Sequence, residues 1–248
     1  MENEALIEPR KGRGEPAVGR HALMTLTRPD LRHLSQMHPF SGGSPLDMTL
    51  FSLYLARRGS PLPMAMAGPF CGAPLAVIGL EKLIALGAKD VWVLGWCGSI
   101  QPDLRVGDVI IPLRAVSEEG TSKHYPIRMG EAAAHQDLLD LLQMELEAKG
   151  LPFTQGPVWT TDAPYRETAQ KVKNYQEAGV LAVEMELSAL FTVAAYREVR
   201  LTALLVVSDE LFDLKWVPGF SSSRFRERSH LAGKILLDLV DSLTGRPD

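Results

Sequence analysis

The chain has 248 residues, with 26 Lys and Arg against 30 Asp and Glu, so its formal net charge is −4. A mildly acidic chain lacks the basic surface typical of nucleic-acid binders, and 46% apolar residues can supply a buried core. No stretch reaches the roughly 18 uninterrupted apolar residues of a membrane span, and residues 1–20 hold no signal-peptide-like apolar run. We therefore expect a soluble, cytoplasmic protein with a small-molecule partner, binding neither nucleic acid nor membrane.

Short apolar segments rich in β-formers alternate with longer amphipathic ones, a pattern typical of an α/β domain with a largely parallel sheet. The predicted strands are residues 22–26, 64–67, 91–94, 109–113, 155–159, 181–183 and 201–207. Helices are predicted over residues 73–86 and 131–149. The first stops at Gly87, where a C-cap residue with left-handed backbone is expected, and the second stops at Gly150. We predict one domain over residues 21–248, a mixed but mostly parallel sheet flanked by helices, preceded by an N-terminal arm over residues 1–20.

Three segments are predicted to lie outside the regular elements. Residues 41–45 and 117–130 are rich in Gly, Ser and charged residues and are predicted loops. Residues 214–229 combine Pro218, Gly219 and three serines with three arginines before a closing helix. This segment is either a mobile lid or a solvated connection anchored by Trp216.

The segment 91–99 runs from a buried-type strand into a glycine turn, Gly95-Trp96-Cys97-Gly98-Ser99. Ligands of open α/β sheets bind where strand carboxyl ends meet loops, and glycines there admit a substrate to the backbone. Cys97 could be a nucleophile on a strained elbow, which would need a glycine two residues later and a histidine base. Position 99 is serine, so the alternative, a turn that lines a substrate, is favoured. Cys71 and Cys97 have no partners at metal-ligand spacing, and we predict no metal site.

Carboxylates follow two other predicted strands. Glu184 and Glu186 flank Met185 where a strand passes into a helix, and Asp209 follows the strand 201–207. Such groups can bind hydroxyls or transfer protons, although acidic residues also favour helix N-termini for structural reasons.

Together these segments resemble the nucleoside phosphorylase and nucleosidase superfamily, in the branch of the hexameric purine nucleoside and uridine phosphorylases. The resemblance covers residues 64–210 and rests on several motifs in order: Ala67-Gly68-Pro69, Leu86-Gly87-Ala88, Gly95-x-Cys97-Gly98, Gly107-Asp108-Val109-Ile110, Gly120-Thr121-Ser122, Val183-Glu184-Met185-Glu186 and Ser208-Asp209.

The resemblance implies roles for individual residues. Met185 would pack under the sugar, with Glu184 beside it, and Glu186 would accept hydrogen bonds from the ribose hydroxyls. Asp209 would be the general acid at purine N7, which favours a purine over uracil. Cys97 and Gly98 would line the base pocket, while Tyr165 would stack on the base or Arg166 would reach it.

The sequence departs from the resemblance at the phosphate-binding positions. Phosphorolytic relatives carry an arginine and a serine or threonine where this chain has Val93 and Trp96. Three interpretations stay open. Phosphate could be held by relocated groups, with Arg28, Arg32 and Gly95, the Arg10–Arg13 arm or a neighbouring subunit's Arg57 and Arg58 as candidates. Water could replace phosphate, with Glu8 or Glu15 assisting. Alternatively, Trp96 could fill the pocket of a non-catalytic nucleoside-binding protein.

The resemblance therefore implies a pentosyltransferase of nucleoside metabolism and purine salvage. It would cleave a ribonucleoside into free base and ribose 1-phosphate, with inorganic phosphate as co-substrate and no cofactor. Relatives assemble as closed oligomers, so a homo-oligomer is expected, whether dimer, trimer or hexamer.

Overall fold

The computed structural model describes residues 5–37, 39–40, 43–56, 62–127 and 132–244. Its strands are β1 (His21–Thr25), β2 (Leu46–Asp47), β3 (Ser52–Ala56), β4 (Met64–Gly68), β5 (Asp90–Ser99), β6 (Val109–Glu118), β7 (Thr154–Thr161), β8 (Ala182–Glu184), β9 (Arg200–Glu210) and β10 (Val217–Pro218). Its helices are α1 (Arg28–Ser35), α2 (Ala73–Leu86), α3 (Gln136–Ala148), α4 (Ala169–Glu177), α5 (Leu187–Tyr196) and α6 (Ser223–Thr244). The predicted single-domain α/β fold is confirmed.

The described strands form one ten-stranded mixed sheet in the order β10-β9-β6-β7-β8-β5-β1-β4-β3-β2. The longest pairing, between β5 and β9, is parallel, as are β1 with β4 and β5, β6 with β7, and β7 with β8. The antiparallel pairings are β2 with β3, β3 with β4, β5 with β8, β6 with β9, and β9 with β10. Because β5 pairs with both β8 and β9, strands β5, β9, β6, β7 and β8 close into a ring.

Helices cover both faces of this sheet. Apolar side chains of α2 and α5 pack on one face, and those of α1, α3 and α6 pack on the other. Alternate residues of β1 divide between the two cores, with Met24 in the first and Leu23 in the second, as the twofold periodicity of a strand requires. The long apolar strands were recognisable in the sequence because both of their faces are buried.

The prediction for α2 is confirmed to the residue, and Gly87 follows it with φ of +130°. The predicted helix 131–149 begins later, at Gln136, because His135 has extended backbone and Ala133 pairs with Arg114 across a β-bridge. The predicted turn after Leu94 is also wrong, since β5 continues to Ser99 with an irregularity between Cys97 and Gly98.

Other differences concern segments predicted as loops or left unassigned. Strand β6 continues to Glu118, and Ser122–His124 form a 3-10 turn, so the loop is shorter than predicted. Helix α1 was not predicted, although Thr27 and Asp30 form a reciprocal cap at its start. In the 214–229 segment, Val217–Pro218 pair with β9 and α6 begins at Ser223. The second half of that segment is therefore helix.

Buried Asp90 ties together the amino ends of the central strands. Its carboxylate accepts from Arg20 Nε at 2.8 Å and from Arg200 Nε at 2.6 Å, and His21 Nδ1 lies 3.5 Å away. Burial opposes ionisation, but the hydrogen bonds from Arg200 and Arg20 hold the pKa of Asp90 below its ordinary value. Paired charges thus occupy the end of the sheet at which the central parallel strands begin. The opposite end, at which these strands finish, is free to form a site.

The described part of the N-terminal arm forms no helix or strand and lies along α2 and α5. Lys82 of α2 binds Glu15 at 2.7 Å, and Arg197 after α5 binds Glu8 at 3.3 Å. No helix in the described residues is both long and apolar enough to cross a membrane.

Candidate active site

A cavity of about 480 Å³ opens at the carboxyl ends of β5, β8 and β9. Eight of the residues singled out in the sequence line it, namely Trp96, Cys97, Gly98, Tyr165, Glu184, Met185, Glu186 and Asp209. The remaining lining residues are Leu26, Thr27, Cys71, Pro164, Glu167, Val183, Ser208, Leu211, Trp216 and Phe220. The ring of strands therefore brings together motifs that lie more than a hundred residues apart in the chain.

Gly98 forms the floor of this cavity between β8 and β9. It pairs with Val183 on one side and with Asp209 on the other. A Cβ at this position would lie 2.6 Å from Leu211 Cδ1 and 3.0 Å from Asp209 Oδ2. Since neighbouring strands are about 4.8 Å apart, the β8 and β9 residues flanking Gly98 are separated by roughly 10 Å. The cavity is therefore bounded by β8 on one side of Gly98 and by β9, which carries Asp209, on the other.

Glu184 is a buried structural carboxylate at the start of α5. It accepts the backbone N–H groups of Glu186 and Leu187, both at 2.7 Å, and the Thr160 hydroxyl. Burial raises the pKa of Glu184, but these three donors and the helix N-terminus favour the ionised form. Its position fixes the backbone that carries Met185 and Glu186.

Glu186 is only 6% exposed, yet it has few donors. The Gly72 N–H, just before α2, donates to Glu186 Oε1 at 2.6 Å, and no other hydrogen bond to this carboxyl from a described side chain occurs. Burial and the neighbouring charge of Glu184 raise the pKa of Glu186. A carboxyl of this kind has unused acceptor capacity directed at the cavity, which a hydroxyl-bearing ligand can fill.

Asp209 of β9 pairs with Gly98 and lines the same cavity as Glu186. Ser208 Oγ donates to Asp209 Oδ1 at 2.6 Å, and the Trp216 indole N–H donates to Oδ2 at 2.9 Å. Trp216 is 63% exposed, so the bond that it makes can be exchanged for one to a ligand. Trp216 belongs to the segment considered as a lid, and its contact with Asp209 places that segment at the cavity mouth.

Glu167 is a site residue that sequence reasoning missed. It follows the 3-10 turn Pro164–Arg166, where its backbone N–H donates to the Pro164 carbonyl at 3.3 Å, and its carboxyl lines the cavity without a hydrogen bond or ion pair to another described residue. Burial and the charge of Asp209 raise its pKa to about 7. No spacing or motif marks Glu167 in the sequence, because its role depends on where the turn after β7 places it.

Both cysteines line the cavity as thiols. Burial and the carboxylates Asp209 and Glu184 raise the pKa of Cys97 well above its ordinary value. Burial and Glu186 likewise raise the pKa of Cys71. A nucleophilic cysteine needs the opposite shift and a base, and none of the described lining residues is a histidine. The geometry therefore favours Cys97 as a lining residue.

Trp96 occupies the end of the cavity nearest α1 and α6. Its ring packs edge-on against Phe225, with centroids 4.9 Å apart, and lies 6.2 Å from the ring of Phe220. Tyr165, by contrast, is fully exposed at the rim and packs on nothing that would fix it. Arg166 is exposed and is not among the residues that line the cavity.

No arginine, lysine or histidine is among the described residues lining this cavity, whereas four carboxyl groups are. Arg28 and Arg32 line a separate depression, and Gly95 is packed against Leu26 and Leu205 inside the sheet. Arg10 lines another cavity, while Glu8 and Glu15 pair with Arg197 and Lys82. Arg57 and Arg58 lie outside the described residues.

Comparison with known proteins identifies the family of the chain. The model of the phosphorylase superfamily matches residues 36–243. The chain is 38% identical over 151 residues to a DeoD-type purine nucleoside phosphorylase of Bacillus cytotoxicus, a match covering 60% of this chain and 64% of that protein. It is 33% identical over 153 residues to a guanosine phosphorylase of Halorubrum lacusprofundi, covering 62% and 63% of the two chains. The matches thus span slightly less than two thirds of these relatives.

A solved structure shows the same fold. Uridine phosphorylase from Vibrio fischeri superposes with a TM-score of 0.78 over 91% of this chain and 93% of its own, at 23% identity. Because the family model spans most of the chain and includes every residue that the cavity argument uses, apart from Leu26 and Thr27, the chain belongs to the phosphorylase superfamily.

Proposed function

We propose that the protein cleaves the N-glycosidic bond of a purine-like ribonucleoside and transfers the ribosyl group to phosphate, giving free base and ribose 1-phosphate. The observation that carries this proposal is that Glu186 and Asp209, from the chain segments on either side of β5, line one cavity together with Gly98 and Met185. Relatives named purine nucleoside phosphorylase and guanosine phosphorylase support the reaction type.

Glu186 and Met185 form the sugar end of the proposed site. A carboxylate with free acceptor lone pairs suits the adjacent 2′- and 3′-hydroxyls, which both donate. As the glycosidic bond lengthens, the sugar acquires oxocarbenium character. A carboxyl group of this cavity in its ionised form would stabilise that positive charge, because buried negative charge acts strongly at low dielectric.

Asp209 forms the base end. A purine leaves more readily when N7 is protonated, and we assign Asp209 as the residue that would supply that proton once the ligand displaces the Trp216 N–H. Glu167 would accept a hydrogen bond from a further N–H of the base.

Hydrolysis is a second candidate, and the charge of the cavity favours it. Phosphate is held in proteins by charge-assisted donors, and the described lining provides four carboxyl groups and no cationic side chain. Water carries no charge to repel. A phosphorolytic site would need a cation from outside this lining, for example from a neighbouring subunit.

A panel of nucleosides, incubated with and without inorganic phosphate, tests both candidates. Base release and the sugar product are followed by liquid chromatography. Release that requires phosphate and yields ribose 1-phosphate supports phosphorolysis, and equal release without phosphate that yields ribose supports hydrolysis. Binding without release from any nucleoside would refute both and leave a nucleoside-binding protein.

A further inference from the structure

Two carboxyl groups, Glu167 and Asp209, line the part of the cavity that the proposed function assigns to the base, and their surroundings differ. Ser208 Oγ and the Trp216 indole N–H both donate to the Asp209 carboxylate, at 2.6 Å and 2.9 Å. Donors to a carboxylate stabilise its ionised form. The carboxyl of Glu167 has no such donor among the described residues, so its ionisation lacks this support.

The surroundings of Glu167 favour its protonated form. Its side chain is partly buried, and burial and the charge of Asp209 raise its pKa to about 7. The charge of Lys171 acts in the opposite direction, but the ammonium group of Lys171 is engaged by Glu118, to which it donates at 2.6 Å. As pH falls through about 7, Glu167 and Asp209 together therefore take up one proton, and in the unliganded protein this proton resides on Glu167.

Other titratable and charged groups approach this space from the neighbouring elements. They are Cys97 of β5, Glu184 of β8, Glu186 at the start of α5, Cys71 before α2, Arg166 in the turn that precedes Glu167, and Lys171 of α4. Both thiols stay neutral near pH 7 because their pKa values are raised. Burial also raises the pKa values of Glu184 and Glu186, so a test has to separate their titration from that of Glu167.

Binding of a nucleoside would reverse the two environments. In the proposed arrangement the base takes the place of the Trp216 N–H at Asp209, which removes a donor from that carboxylate. An N–H of the base supplies a donor to Glu167, which has none among the described residues. The first change favours a protonated Asp209, and the second favours an ionised Glu167.

We propose that Glu167 holds a proton in the unliganded protein and that nucleoside binding moves this proton to Asp209, which passes it to the leaving base. The O–H bond at Glu167 breaks as the one at Asp209 forms, and the Asp209 O–H bond breaks in turn as the N7–H bond of the purine forms. The base leaves with this proton, and the carboxyl pair takes up another from solvent before the next turnover. The inference rests on the proposed function and explains how a proton is available near neutral pH, although the donors to Asp209 favour its ionised form.

A comparison of two leaving groups isolates this proton. The ratio of kcat/KM for a purine nucleoside to kcat/KM for 4-nitrophenyl riboside, whose leaving group needs no proton, cancels groups that act on the sugar, such as Glu184 and Glu186. In the wild type this ratio should fall as pH rises through about 7. In E167Q the fall should begin at least about one pH unit lower, so the variant should lose about tenfold more of the ratio at pH 8 than at pH 5.

Two further variants separate this role from a structural one. E167D, which keeps a carboxyl group, should restore part of the shift, and E177Q, at an exposed position of α4, should have the wild-type profile. An E167Q profile that coincides with that of the wild type would overturn the inference while leaving the proposed function intact. A wild type that cleaves no nucleoside would refute the proposed function instead.

A second readout does not depend on turnover. Infrared difference spectra of the unliganded protein, recorded between pH 5.5 and 8.5, follow the carbonyl stretch of protonated carboxyl groups. E167Q should lose one carboxyl from the band that titrates near pH 7 in the wild type. In D209N the same group should lose its proton at lower pH, because the charge of Asp209 is gone. A band unchanged in both variants would show that Glu167 holds no proton and would overturn the inference.

Discussion

Replacing Glu186 with glutamine should change activity and stability in opposite directions. Glu186 is 6% exposed, accepts the Gly72 backbone N–H at 2.6 Å and lies beside Glu184. Glutamine keeps the size and one acceptor oxygen, so Gly72 keeps its hydrogen bond. The substitution removes a group whose ionisation inside the protein is unfavourable, and it removes the second acceptor oxygen, which the proposed sugar contact uses.

The effect on activity follows from the lost contact. A hydrogen bond to a charged acceptor contributes roughly 1.5–3 kcal/mol, and each 1.36 kcal/mol of transition-state stabilisation is tenfold in rate. We therefore expect kcat/KM for a ribonucleoside to fall about 10- to 150-fold in E186Q. Discrimination between a ribonucleoside and its 2′-deoxy analogue should narrow as well, since the variant loses the acceptor for one hydroxyl.

The effect on stability has a definite pH dependence. Burial and Glu184 raise the pKa of Glu186, so the unfolded chain releases this proton at lower pH than the folded protein. Wild-type stability contributed by the neutral carboxyl is thus lost as pH rises from the ordinary glutamate pKa toward the raised value. E186Q and wild type should be similar in stability near pH 4.5, and E186Q should be more stable by about 1 kcal/mol or more at pH 8. That difference corresponds to a rise in Tm of about 2–4 °C.

Thermal unfolding between pH 4.5 and 8 and steady-state base release at pH 7 measure the two effects. E177Q, a matched change at an exposed position of α4, is the control and should alter neither. If E186Q kept full activity, Glu186 would not bind the sugar. If its Tm at pH 8 fell below that of the wild type, the assignment of an uncompensated buried charge would be wrong.

Three other substitutions test the remaining parts of the structure. D209N should lower the rate of purine nucleoside cleavage by roughly 10²- to 10⁴-fold. The rate of 4-nitrophenyl riboside cleavage should fall much less, because that leaving group needs no proton. Equal losses of rate on both substrates would exclude Asp209 as the acid. G98A should lower the free energy of unfolding in urea by about 1–3 kcal/mol, since the new Cβ would lie 2.6 Å from Leu211. The control is G120A, whose Cβ would lie 3.5 Å from its nearest neighbour. Equal stability of the two variants would contradict the packing argument. D90N should cost roughly 1.5–3 kcal/mol at pH 7. Because the pKa of Asp90 is lowered, its contribution is present above the unfolded pKa and lost as pH falls through the folded one, so the difference from wild type should shrink at acid pH; a difference independent of pH would refute this.

Much of the fold could be predicted from the sequence because the central strands are buried on both faces. Continuous apolar runs marked β1, β4, β5 and β9, and a glycine marked the end of α2. The short edge strands β2, β3 and β10 carry no such signal, since their hydrogen bonds depend on a neighbouring strand. The turn predicted at Gly95 was wrong for a related reason. Glycine permits a turn but does not impose one, and pairing with β9 keeps the chain extended to Ser99.

The site was predicted in part. Met185, Glu186 and Asp209 were identified from motif order, and the structure brings them to one cavity. Their roles remain proposals. Arg28 and Arg32 were candidates for the same site. Asp30 lies on the buried side of α1, where it accepts a hydrogen bond from Ser229, and both arginines lie on the exposed side. Helical phase decides which side a residue faces, and α1 itself was not predicted.

The sequence alone determined the α/β class, because the pattern of apolar residues along the chain predicts which segments are buried strands and helices. The order of its motifs indicated the family by resemblance. The tertiary structure decided which motifs meet. Closing β5 onto both β8 and β9 brings Glu186 and Asp209 to one cavity with Gly98, adds Glu167 from a turn with no motif, and leaves Arg28 and Arg32 in a separate depression. These arrangements depend on contacts between residues distant in sequence, and such contacts form only when the sheet and its helices pack together.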